Sequence, residues 1–125
     1  ATTDGSGMPK LDMDGPYDLT NAIIDKNIGK DVIGNFALGF MNGSGKFVVK
    51  AVGRSDNDLN KEIKSARRRF SGGFLGQLFS KSKLVKFKYS IAASADSAYQ
   101  VEQRAFEDFG GPKNLLNKKP PAPPQ

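Results

Sequence analysis

Neither cysteine nor histidine occurs in this chain of 125 residues, and each absence closes off a class of chemistry. Without cysteine there is no disulfide framework and no thiolate metal site, so the usual marker of redox compartment is missing. Without histidine the commonest general base and metal ligand at neutral pH are gone, which excludes serine-triad chemistry, histidine-based zinc sites and histidine-dependent nucleases. Any catalysis must draw on Asp, Glu, Lys, Arg, Tyr, Asn or Ser. Long apolar runs are also lacking: the stretch 32–41 is broken by Gly and Asn, which gives no membrane insertion. No secretory signal is visible, and the turn-rich opening ATTDGSGMPKLDMDGP reads as the boundary of a C-terminal fragment of a larger protein.

What is present is a localised excess of positive charge. The net charge is +6, but residues 46–88 alone carry 12 Lys and Arg against 3 Asp and Glu, a balance of +9. Residues 1–45 are acidic and residues 89–125 neutral. A field so concentrated suits a polyanionic partner, nucleic acid before an anionic membrane surface, although a charged solubilising face has the same composition.

The chain divides into a flexible lead over residues 1–16, a single α/β domain over 17–117 and a proline-rich tail over 118–125. A short helix is expected from Asp18 to about Asn27, with Gly29 as its stop. Two β-prone runs, 35–41 and 46–52, flank Asn42-Gly43-Ser44-Gly45, a hairpin signature. Gly53-Arg54-Ser55 then reads as a turn leading to a helix from Leu59, whose apolar stripe is Leu59, Ile63, Ala66 and Phe70. Arg67, Arg68 and Arg69 close that helix, and residues 74–79 fit either a helical turn or an ordered loop. Alternation over 84–92 sets Lys86, Lys88 and Ser90 against Val85, Phe87, Tyr89 and Ile91, a third strand with one basic face. A last helix, capped by Ser94 or Asp96, runs to about Phe109, where Gly110-Gly111-Pro112 stops it. Its inward stripe is Ala98, Glu102, Ala105 and Phe109, joined by Val101. The final PPAPPQ favours a solvent-exposed polyproline II end.

Two positions point to chemistry. Glu102 sits in an apolar seam, where an unpaired charge costs several kcal/mol, so a cation, a metal or a hydrogen-bond network is expected to face it. Gly53 with Arg54, at a strand-to-helix junction, suits an anion-holding corner of backbone amides and one guanidinium.

Taken in order, hairpin, Gly-Arg-Ser turn, basic helix, third strand and helix with inward Glu resemble the GIY-YIG nuclease family over about residues 34–117. Gly34-Asn35-Phe36 occupies the place of the first Gly-Ile-Tyr, and Ala51-Val52-Gly53 that of Tyr-Ile-Gly. The resemblance implies an α+β fold with a small three-stranded antiparallel sheet flanked by helices. It implies that Glu102 holds Mg²⁺ or another divalent cation and that Asn117 is the family's late asparagine. It departs from the family at both signature tyrosines, replaced by Phe36 and Ala51, and Glu62 stands where the family has a helix arginine. Arg54, Lys61, Tyr89 and Tyr17 are the available substitutes.

Two functions follow. One is a metal-dependent nuclease in which Glu102 holds the ion, Arg54 and Lys61 or Lys64 neutralise developing charge, and a Tyr or a metal-bound water moves the proton. Such a domain also resembles the toxin modules of interbacterial competition, which implies delivery into a target cell and a cognate immunity protein. The other is a non-catalytic nucleic-acid-binding module in which Glu102 pairs with a buried cation. In it Gly53, Lys64, the run Arg67, Arg68 and Arg69, and the Lys86 and Lys88 face meet the phosphate backbone.

Overall fold

A computed structural model describes residues 11–71 and 84–125 of the chain. The fold is α+β: a four-stranded antiparallel sheet with helices on both faces. In chain order the elements are β1 (Asp14–Asp18), α1 (Asn21–Asn27), β2 (Gly34–Met41), β3 (Phe47–Ser55), α2 (Leu59–Ser71), β4 (Lys86–Ile91), α3 (Ala95–Asp108) and a 3₁₀ turn (Gly111–Lys113). The strand order is β1-β4-β2-β3, so β2 is central and β3 is an edge.

The fourth strand is a correction to the expected three. Residues 14–16 belong to β1 rather than to a flexible lead, and β1 pairs with β4 through Tyr17 opposite Phe87 and Asp18 opposite Lys86. Its sequence, DGPYD, has almost no strand propensity. Tertiary contacts hold it: Tyr17 packs on Phe87 and Tyr89, and Lys86 pairs with Asp18. Pro16 is tolerated because an edge strand leaves amides unpaired. Helix α1 starts at Asn21, not Asp18, because Thr20 takes the N-cap and accepts from Ile23 N at 3.2 Å.

Cross-strand register assigns side chains to faces. Phe36 lies opposite Gly53 and Tyr89, and Leu38 opposite Ala51 and Phe87. These residues, except Gly53, pack with Ile24, Ile28, Leu59, Ile63 and Ala66 of α1, its flank and α2. Asn35, Ala37, Val52 and Arg54 point the other way, toward α3, where Ala37, Val49, Val52, Ala105, Phe106 and Leu115 form a second core. Completely burying a residue such as Phe87 contributes about 1.5–3 kcal/mol, so two such clusters fix the helices to their faces.

In α3 the capping box of Ser94 with Ser97 sets the start, and left-handed Gly110 ends it. Phe106 is buried where Val101 was expected; Val101 is 37% exposed. Among the described residues no helix is long and apolar enough to cross a membrane. Residues 74–79 lie outside the described residues.

Candidate functional site

Strand β3 runs past the expected turn to Ser55, which pairs with Gly34, so Gly53 and Arg54 lie within the sheet. A Cβ at Gly53 would overlap the Phe36 ring. This glycine therefore lies within the sheet rather than at the expected strand-to-helix turn, where it makes room for a buried aromatic. Asp56 lies two residues beyond Arg54, in the bend just past the end of β3, and Glu102 faces Arg54 from α3.

Arg54 Nη1 donates to Glu102 Oε1 at 2.6 Å, and its Nε donates to Asp56 Oδ1 at 2.8 Å. Its Nη2 reaches the Ala122 carbonyl at 2.7 Å. The guanidinium also lies over the Tyr99 ring, 5.1 Å from its centroid. Both partners of the Arg54–Glu102 pair keep only 12% of their side-chain surface in water. Burial is the largest influence on the Glu102 pKa and raises it; the bond and charge of Arg54 lower it, Asp56 and Glu62 add repulsion, and the net direction is upward. Burial works against the Arg54 charge, but its bonds to Asp56 and Glu102 outweigh that and leave its pKa raised. Around the pair is an open cavity of about 400 Å³ lined by Arg54, Ser55, Asp56, Asn57, Glu62, Glu102 and Ala122.

Other expected site residues lie elsewhere. Tyr89 is on the opposite face of the sheet from Glu102, packed with Tyr17 and Phe87, its hydroxyl donating to Asn27 O at 3.4 Å. Burial raises its pKa, with Asp14 adding to the effect, the wrong direction for a proton acceptor. Phe36 and Ala51 share that face. Asn117 serves β3: its Oδ1 accepts from Val52 N at 3.0 Å and its Nδ2 donates to Val52 O at 2.8 Å. The amide thus pairs with an edge-strand residue as another strand would.

The expected basic face is divided by the sheet. Helix α2 packs on the Phe36 face and turns Lys61 and Arg68 to solvent, with Arg67 half-buried. Lys64 is tied to Asp25 of α1 at 2.6 Å, and Arg69 to Glu62 at 3.3 Å. Lys86 and Lys88 project from the other face, the first pairing with Asp18 and the second lying over Phe47 at 5.5 Å. Sequence reading missed Tyr99 and the docked Ala122. Tyr99 was legible, since it lies three residues before Glu102 and thus beside it on a helix.

A divalent cation on Glu102 would lie about 2.0–2.6 Å from its oxygens. Arg54 stands against one of them at 2.6 Å. Among the described residues no three Asp and Glu side chains converge on one point. As arranged, Glu102 is held in an ion pair with Arg54. Comparison with protein-family models, curated proteins and solved structures finds no match for this chain.

Proposed function

We propose that this domain is a non-catalytic nucleic-acid-binding module, on a GIY-YIG-like scaffold whose central carboxylate has become part of an internal ion pair. The observation that carries this reading is the Arg54–Glu102 pair: the carboxylate is engaged by a guanidinium whose other donors are engaged in turn. The order of hairpin, basic helix, strand, helix with inward Glu and late Asn supports the scaffold. Binding falls to the solvent side of α2, where Lys61 and Arg68 recur at i and i+7 and Arg67 flanks them, with Lys64, paired to Asp25, at i+3. Such a stripe follows phosphates without reading bases, so affinity is salt-sensitive and weakly sequence-dependent.

A metal-dependent nuclease is the second reading, favoured by one observation: Asp56, Glu62 and Glu102 line one open cavity with Arg54. It requires Arg54 to leave Glu102, and the toxin role with its immunity protein and delivery belongs to it alone. Incubating the domain with DNA and with RNA, in Mg²⁺ and in EDTA, beside a Glu102→Ala variant, separates the two. Our reading expects retention of both polymers at low salt and no cutting in either condition. Metal-dependent cutting lost in the variant would establish the second reading, and no binding at low salt would overturn both.

A further inference from the structure

Beyond α3 the chain turns back along the open edge of β3 and meets alternate residues in succession. Leu116 N donates to Lys50 O at 2.7 Å, Asn117 brackets Val52, and Ala122 O accepts from Arg54 Nη2 at 2.7 Å. Leu115, 2% exposed, anchors the start of this run in the α3 core. Its end is the proline-rich segment. Proline has no N–H to offer, so such a segment is recognised through its carbonyls, and its fixed φ lowers the entropy lost on docking. The lining of the cavity it meets includes one guanidinium and three carboxylates, Asp56, Glu62 and Glu102, with Glu62 also paired to Arg69. That excess of carboxylates opposes phosphate and favours a cationic segment; Lys118 and Lys119 precede Pro120 on the solvent side.

We propose that the Arg54 cavity is a docking site for an extended, lysine-led proline-rich peptide, and that residues 118–125 are its resident ligand, held in cis as a displaceable cover. Docking in cis needs little intrinsic affinity, because a tether of this length supplies an effective concentration in the millimolar range. Pro121 and Pro124 are half-buried while Pro120 and Pro123 face solvent, as expected of a segment lying along a surface. The site shares Glu62 with α2, but none of Lys61, Lys64 and Arg68 lines it, and it stands whether or not that helix binds nucleic acid.

The test uses the full chain and a synthetic peptide of residues 118–125. A variant with Pro120→Gly, Pro121→Gly, Pro123→Gly and Pro124→Gly loosens the resident segment without touching the core, whose last anchors are Leu115 and Leu116. By calorimetry this variant is expected to bind the added peptide at least about tenfold more tightly than the native chain, the factor lost by the native chain to its own tail. A peptide carrying glycine at the same four places is expected to bind at least about tenfold more weakly. Equal binding by the two chains, equal binding of the two peptides, or no binding to the loosened chain at millimolar peptide each overturns the proposal.

Discussion

The Arg54 guanidinium, on the α3 face of β3, is bonded to the carboxylate of Glu102 at 2.6 Å, and burial keeps the Glu102 pKa raised despite that bond. Such a pair is worth little relative to apolar residues of the same shape, but removing one member exposes the cost of the other. Arg54→Ala leaves Glu102 facing only Asp56 and Glu62. A loss of about 2 kcal/mol is expected in urea unfolding, below the fully buried range because both side chains keep some access to water. A change under a few tenths of a kcal/mol (about 0.3) would contradict this account of the pair.

The same pair sets a pH dependence. A carboxyl whose folded pKa is raised holds its proton more readily in the folded chain, so its contribution to stability improves as pH falls through that range and worsens as pH rises through it. Relative to Glu102→Gln, the native chain is therefore expected to be least stable near neutrality and to recover toward about pH 4. A native advantage that grows with pH would show that Arg54, not burial, dominates.

Much of this site was legible before any fold was known. The helix spacing that put Glu102 in an apolar seam required a partner, and a cation answers it. The hairpin, the α2 stripe and the stop at Gly110 follow from local chemistry and are present. Nonlocal contacts were not legible. DGPYD becomes a strand only because β4 offers Phe87 and Lys86 to Tyr17 and Asp18. The extent of β3 is set by its pairing with β2, so Gly53-Arg54-Ser55 is strand although its composition reads as turn. Which face each residue occupies, the fact that separates Tyr89 from Glu102, depends on register, and a shift of one residue reverses it.

Asn117 tests the edge of β3. Asn117→Ala leaves the Val52 N–H and C=O without their side-chain partners, which is expected to destabilise the chain by about 1–3 kcal/mol. Hydrogen exchange at the Val52 amide is expected to rise in step. Unchanged exchange would mean that the amide does not pair with the strand in solution.

Gly53 tests the packing beneath the sheet. Gly53→Ala forces a methyl into the Phe36 ring, an overpacking expected to cost about 1–3 kcal/mol. Adding Phe36→Leu removes the ring, so the double variant should be less unstable than the sum of the two singles, as a double-mutant cycle measures. Strict additivity would locate the role of this glycine elsewhere.

The central claim is that α2 meets a phosphate backbone while the Arg54–Glu102 pair stays out of it. Its most direct measurement is the dependence of DNA and RNA affinity on salt in the native chain, a Lys61→Ala, Arg68→Ala double variant and an Arg54→Gln variant. The expected log–log slope is about two units shallower in the double variant and unchanged in Arg54→Gln, with no gain in affinity from Mg²⁺ over EDTA. A double variant with the native slope, or an Arg54→Gln slope about one unit shallower, would contradict it.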